Sequence, residues 1–183
     1  RSDPTRPVFQ KLKILLKQSV YVSGFDGLTG LYLMDLQTGD EIHFAYRQGE
    51  DIPVNPDIAF TASSIIKIPI LVSAFSRIGE NPDPETMKLV EDMIVNSGNE
   101  AADWLMDREI DETRAPLIIS EEMQALGLEN TFLAGYFSLG SPLLAVYETP
   151  ANTRLDVNTD PDIYNQTTPS EIGMLLEDLY QCA

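Results

Sequence analysis

The segment at residues 60–72 reads FTASSIIKIPILV, and its one charged residue, Lys67, decides how the chain is interpreted. The three residues that follow Lys67 are all apolar, which is a costly setting for an ammonium group. Burial disfavours the charged form, so a lysine there tends toward a lowered pKa and can accept a proton. Ser64 lies three residues earlier, on the same helical face. The segment therefore predicts a helix that begins near Ser64 and carries a hydroxyl and an amine one turn apart.

This pairing of Ser64 with Lys67 suits nucleophilic catalysis. A serine at a helix N-terminus has backbone N–H groups that can receive an oxyanion, and an amine one turn on can take its proton. The alternative is structural, with an N-cap serine followed by a lysine whose ammonium reaches solvent. Ser63 has Ile66 at the matching position, so Ser64 is the candidate nucleophile.

A polar turn follows thirty residues after Lys67, where residues 96–102 read NSGNEAA. Ser97 and Asn99 could simply cap the next helix. A hydroxyl and an amide presented together could also relay a proton to a leaving group and hold a substrate amide. The two interpretations are compatible.

Together these segments resemble a known family. Residues 60–69 resemble the S-x-x-K segment of class A β-lactamases and penicillin-binding proteins, and Ser97-Gly98-Asn99 resembles their S-D-N loop. The segments LGL at 126–128 and TTP at 167–169 are also similar, so the resemblance covers residues 6–183. The chain departs from the family at Gly98, where the aspartate is missing, and in having no K-T-G motif, since Lys88 is its last lysine.

The resemblance implies a fold and a set of roles. The fold would be α/β (α+β), β-lactamase/transpeptidase-like, with an antiparallel sheet packed against a helical lobe and the site between them. Ser64 would attack a β-lactam or peptide-like amide carbonyl, Lys67 would accept its proton, Ser97 would protonate the leaving nitrogen, and Asn99 would hold the substrate. No metal or organic cofactor is expected.

A loop segment, YETPAN at residues 147–152, resembles the family's water-activating glutamate with an asparagine four residues later. The resemblance implies that Glu148 activates the water that hydrolyses the acyl-enzyme and that Asn152 contacts substrate. In so acidic a chain, Glu148 could instead be a solvated loop carboxylate.

Hydrophobic periodicity and turn residues predict the elements. A single domain, residues 1–183, would comprise an N-terminal helix and β-hairpin at 6–47 and a helical lobe at 61–183. Trp104 is expected in the helical core. The predicted elements are a helix at 6–20, strands at Leu31–Leu36 and Glu41–Tyr46, helices at Ile65–Ile78, Glu85–Asn96, Glu100–Ile110 and Pro116–Leu126, a long loop at Gly135–Thr168, and a helix from Thr168.

Two strands alone form a marginal sheet, so the sheet is expected to be incomplete in this chain. The missing C-terminal strands, with the K-T-G motif, would come from a further segment or from a second chain. In the family that strand also supplies an oxyanion N–H, whose loss costs about 3 kcal/mol of transition-state stabilisation.

Composition excludes several classes of function. The formal net charge is -17 with 12 basic residues, which argues against nucleic-acid partners. No apolar run is long enough to span a bilayer. One cysteine, Cys182, excludes an internal disulfide, and one histidine leaves a zinc site without its usual ligands. The family resemblance implies an extracytoplasmic location, where peptidoglycan-like substrates and β-lactams are met.

Two classes of function remain. In the first, the protein is a serine hydrolase that works through an acyl-enzyme: a β-lactamase if Glu148 activates water, or a penicillin-binding peptidase or esterase if it does not. In the second, it is a catalytically inactive β-lactamase-like binding or interaction domain. A lysine-bearing strand beyond this sequence would favour the first.

Overall fold

The computed structural model describes residues 7–52 and 55–181. The chain divides into two compact units, one formed by residues up to 58 with those from 168, the other by residues 59–167. Cys182 lies outside the described residues. The helices are α1 (Pro7–Val22), α2 (Lys67–Phe75), α3 (Pro84–Val95), α4 (Asn99–Glu109), α5 (Ala115–Ala125) and α6 (Pro169–Gln181). The strands are β1 (Leu28–Met34), β2 (Glu41–Arg47), β3 (Glu50–Asp51), β4 (Phe60–Thr61), β5 (Phe132–Leu133) and β6 (Asn165–Thr167).

The first unit contains the predicted helix and hairpin. Strands β1 and β2 pair antiparallel, and β3 extends the sheet in the order β1-β2-β3. Strand β1 ends at Met34 because the Asp35 carboxylate accepts hydrogen bonds from the backbone N–H groups of the turn, at Gln37 (2.8 Å) and Thr38 (3.2 Å). Leu36 therefore lies in the turn, and the predicted extension of the strand to Leu36 is wrong.

The core of this unit lies between α1 and one face of the sheet. Ile42, Phe44 and Tyr46 alternate along β2 and are buried, as period-two packing requires. The apolar stripe of α1 covers them with residues spaced three and four apart: Phe9, Leu12, Leu16 and Val20.

Helix α6 belongs to this same unit and packs against β1. A Cβ atom added at Gly173 would lie 2.2 Å from a ring carbon of Tyr32, so the absence of a side chain permits the contact. The sequence analysis instead assigned this helix to the helical lobe at 61–183. The amphipathic pattern predicts that the segment is helical, but it does not indicate which apolar surface the helix covers.

The second unit contains helices α2 to α5 at the predicted places, with bounds that differ mainly at the ends. It also has a small antiparallel sheet of order β4-β6-β5 that the sequence did not predict. Strand β6 interrupts the predicted loop at Gly135–Thr168. These strands are two or three residues long, which is too short for an alternating pattern to show.

Trp104 was expected in the core, and that expectation is wrong: 58% of its surface is exposed, while its neighbours Ala102 and Leu105 are fully buried. Over the described residues the protein is a mixed α+β structure with six α-helices and two small antiparallel sheets. No helix in this part of the chain has the length and apolar character needed to cross a membrane.

Candidate active site

Ser64 lies in a 3₁₀ turn, Ser63–Ile66, between β4 and α2. The preceding residue, Ser63, has a left-handed backbone (φ 50°), which is uncommon for a residue other than glycine. Its N–H donates to Oδ1 of Asn165 at 2.7 Å, and the pairing of β4 with β6 holds the same segment. The strained turn presents Ser64 at the surface, where its side chain is exposed.

Four oxygen atoms surround the amine of Lys67. Its Nζ lies 3.2 Å from Oγ of Ser64, 3.0 Å from Oγ of Ser97, 2.6 Å from the backbone oxygen of Ser97 and 2.8 Å from Oδ1 of Asn99. The two hydroxyls are themselves 2.8 Å apart. The four residues with predicted roles in acylation, which all belong to the second unit, therefore meet in one hydrogen-bond network.

The acceptor types restrict how Lys67 can be protonated. The backbone oxygen of Ser97 and the amide oxygen of Asn99 can only accept, so two hydrogens of Lys67 point at them. A charged lysine has one hydrogen left for two hydroxyls. A neutral lysine has none left, and its lone pair faces the hydroxyls. This geometry suits an amine that takes a proton from Ser64 or Ser97.

Burial favours the same state. Lys67 is 2% exposed, and Ile66 and Ile70 beside it are fully buried. Burial lowers the pKa of Lys67, and the carboxylate of Asp103 opposes that shift. The ring centroid of Phe137 lies 5.2 Å from Nζ.

The turn that carries Ser97 is fixed by Asp92. The backbone oxygen of Asp92 accepts from the N–H groups of Asn96 (3.1 Å) and Gly98 (3.0 Å), and Ser97 between them is left-handed (φ 55°). A Cβ atom at Gly98 would lie 2.5 Å from Oδ2 of Asp92. A side chain at position 98 would therefore require the Asp92 carboxylate to move.

Sequence reasoning missed Asp103, which organises the wall of the site. This buried carboxylate accepts from the backbone N–H groups of Phe137 (2.9 Å) and Ser138 (2.8 Å) and from the Ser138 hydroxyl. It therefore holds the Phe137 ring near Lys67. One signal was available: Asp103 follows Asn99 by four residues, on the same face of α4.

Asn165 was also missed, and nothing local in the sequence marks it. It lies 102 positions from Ser63, whose backbone it binds, and only the β4–β6 pairing brings the two together.

The structure does not bring Glu148 or Asn152 to the Lys67 network. Glu148 is exposed and forms no hydrogen bond or ion pair with any described residue. Asn152 is bonded within its own turn: Oδ1 accepts from the N–H of Thr149 at 2.8 Å, and Nδ2 donates to the oxygen of Tyr147 at 3.0 Å. Within the described residues, no carboxylate forms a hydrogen bond with Ser64 or Lys67.

Among the described residues, no three His, Cys, Asp or Glu side chains cluster as metal ligands.

No protein-family model matches the chain, and no curated protein matches its sequence. The resemblance to serine β-lactamases therefore rests on the motifs quoted above.

Proposed function

We propose that the protein is a serine acyl-transfer enzyme in which Ser64 is the nucleophile and Lys67 its base. The observation that supports this most strongly is the buried amine of Lys67 within hydrogen-bond distance of two exposed hydroxyls, Ser64 and Ser97. A purely structural lysine would be expected to place its ammonium in solvent or beside a carboxylate.

The proposed reaction runs through an acyl-enzyme. Lys67 Nζ takes the proton of Ser64 as Oγ attacks the carbonyl carbon and forms a C–O bond. The tetrahedral intermediate collapses by breaking the bond to the leaving nitrogen. The proton passes from Lys67 through the Ser97 hydroxyl to that nitrogen, so that both amine and hydroxyl return to their starting states. Asn99 keeps its Nδ2 group available for a substrate carbonyl while its Oδ1 holds Lys67.

Within this class, the motifs favour a β-lactamase/transpeptidase-like fold and an extracytoplasmic protein that acts on β-lactam or peptidoglycan-like amide bonds. The placement of Glu148 favours a long-lived acyl-enzyme over rapid hydrolysis, because this exposed side chain is not bonded to the network that would direct the water. A penicillin-binding peptidase or esterase therefore fits better than an efficient β-lactamase.

The test is the intact mass of the protein after incubation with a fluorescent penicillin and, separately, with a phosphonate that phosphonylates a nucleophilic serine. A stable adduct on the wild type and none on Ser64→Ala is the expected result. Turnover of penicillin without a trapped adduct would mean that a base activates water to hydrolyse the acyl-enzyme rapidly, which is the role that the resemblance implies for Glu148. Neither adduct nor turnover, in a protein shown to be folded, would overturn the proposed function and favour the inactive binding domain.

A further inference from the structure

A cavity of about 350 Å³ adjoins the Ser64 network in the second unit. Two residues that line the cavity also contact the site. Asn165 accepts a hydrogen bond from the backbone N–H of Ser63, next to the nucleophile, and the ring of Phe137 lies against the Lys67 amine. The cavity is also lined by Ser138, Ser141, Asp162 and Tyr164. A group attached to a carbonyl held at Ser64 would therefore be within reach of this cavity.

Asp162 is the one residue with an acidic or basic side chain of the Asp, Glu, Lys, Arg or His type among those lining the cavity. Its Oδ1 accepts from the N–H of Tyr164 at 2.6 Å, which fixes the side chain in a turn. Its own N–H donates to Oγ1 of Thr61 at 2.8 Å. Among the described residues, no lysine, arginine or histidine forms an ion pair with it, so its negative charge is not neutralised locally.

The bond to Thr61 ties the segment that carries this charge to the strand that leads into Ser64, three residues further along the chain. A substrate that is held at Ser64 and also fills the cavity would lie beside the Asp162 carboxylate. Salt would screen this attraction, because the side chain is exposed. The aromatic residues Tyr136, Phe137 and Tyr164 line the same cavity, and aromatic rings attract cations.

We propose that this cavity is an acyl-group subsite selective for a cationic, ammonium-bearing acyl chain, with Asp162 as the residue that sets the selectivity. This inference rests on the proposed function, in that the subsite receives the acyl group transferred to Ser64. Asp162 is a specificity residue and takes no part in bond making or breaking.

The test uses two substrates of equal shape. The p-nitrophenyl ester of 4-(trimethylammonio)butanoic acid carries a fixed positive charge, and the ester of 5,5-dimethylhexanoic acid replaces the nitrogen with carbon. The ratio of their kcat/KM values is measured for the wild type, Asp162→Asn and Asp160→Asn. Asparagine keeps the acceptor for the Tyr164 N–H, so the turn is preserved in Asp162→Asn.

We expect the wild type to favour the cationic ester and Asp162→Asn to lower that preference by about fivefold, the order expected when one screened charge–charge attraction is lost in a partly solvated site. The neutral ester should react equally with both proteins. Asp160→Asn removes the same net charge two residues away, at a position that does not line this cavity, and should leave most of the preference. Added salt should reduce the preference of the wild type.

Three results would overturn the inference: no preference for the cationic ester, an equal loss in both variants, or a matching loss on the neutral ester. The last would mean that Asp162 supports the reaction of Ser64 with any ester and does not act on the substrate charge.

Binding of the corresponding primary amides, followed by NMR line broadening, separates this inference from the proposed function. If Ser64 is not acylated but the cationic amide binds more tightly and loses that advantage in Asp162→Asn, the proposed function fails and the subsite stands. If Ser64 is acylated and the two amides bind alike, the subsite fails and the proposed function stands.

Discussion

Lys67 has more oxygen partners than an ammonium group has hydrogens. Two of the four partners, the backbone oxygen of Ser97 and Oδ1 of Asn99, must accept, and the two hydroxyls complete the set. A neutral amine satisfies every member if one hydroxyl donates to nitrogen. The arrangement therefore makes proton acceptance by Lys67 compatible with its burial.

The first prediction concerns the pH dependence of acylation. The rate constant for modification of Ser64 should rise with pH and level off below pH 10.5, the ordinary pKa of lysine, because burial lowers the pKa of Lys67. Lys67→Arg, which cannot act as a base, should acylate at least about 100-fold more slowly. Stopped-flow measurement with a fluorescent penicillin gives both quantities, with Lys88→Arg as the control on an exposed lysine. A flat profile, or an active Lys67→Arg variant, would contradict the role.

The second prediction separates the role of Ser97 from its effect on the backbone. Ser97→Gly removes the hydroxyl and suits the left-handed backbone at this position. Loss of proton delivery to a leaving nitrogen should slow reaction with an amide by about 100-fold. Reaction with a p-nitrophenyl ester, whose leaving group needs no proton, should change much less. Equal losses on both substrates would show that the hydroxyl does not act on the leaving group.

At the scale of the element, the loop after β5 depends on one buried carboxylate. Asp103→Asn should lower the free energy of unfolding by about 2 kcal/mol, because an amide cannot accept from both Phe137 and Ser138 while also receiving the Ser138 hydroxyl. Urea unfolding measures the change, and Glu129→Gln, an exposed change of the same kind, should stay within about 0.5 kcal/mol. An equally small effect at Asp103 would show that the loop is held by other contacts.

The packing of helix α6 on β1 can be tested by whether a glycine-to-alanine substitution raises or lowers stability. Alanine in place of a helical glycine ordinarily stabilises by about 1 kcal/mol. Gly173→Ala should instead destabilise by about 1–3 kcal/mol, because its Cβ would meet the ring of Tyr32. In a Tyr32→Ala background the same substitution should become stabilising. Thermal unfolding of the wild type, Gly173→Ala, Tyr32→Ala and the double variant measures these changes. If the effects of the two substitutions on stability were additive, the packing of α6 on β1 would be contradicted.

Elements with long periodic patterns or specific capping residues could be predicted from the sequence, and short elements could not. The apolar stripe of α1 is such a local signal, whereas the strand predicted through Leu36 ran past the turn that Asp35 forms. Asp83 starts α3 by accepting from the N–H groups of Glu85 and Thr86. The β4-β6-β5 sheet depends on pairing across about a hundred residues and left no periodic trace. Trp104 shows the opposite error, since an aromatic residue among apolar neighbours need not face the core.

The candidate site divides in the same way. Ser64, Lys67, Ser97 and Asn99 are found in two short local motifs, and the structure brings these together. Asp103, Phe137 and Asn165 support the site through tertiary contacts that no local pattern encodes. Glu148 and Asn152 were selected by a short motif in a segment whose conformation the sequence did not determine.

At the scale of the whole molecule, the net charge of -17 makes stability depend on pH, and His43 gives one resolvable part of that dependence. Burial lowers the pKa of His43, opposed by Asp57 and Glu41 and aided by Lys13. Because the unfolded chain binds this proton more readily, the contribution is complete above pH 6.5 and is lost as pH falls through the lower folded value.

The corresponding prediction is that His43→Gln, which cannot titrate, loses less stability than the wild type between pH 7 and pH 5.5. Urea unfolding at several pH values measures the two slopes. Parallel slopes would show that His43 is not buried in the neutral form.

The most direct test of the central claim is to locate the adduct. Protein labelled with a serine-reactive phosphonate is digested and sequenced by tandem mass spectrometry. The same is done for Ser63→Gly, which removes the neighbouring hydroxyl at a left-handed position that glycine tolerates. The account predicts a label on Ser64 in both proteins and none in Ser64→Ala. A label on Ser63 or Ser97, or one that persists in Ser64→Ala, would contradict the assignment of Ser64 as the nucleophile.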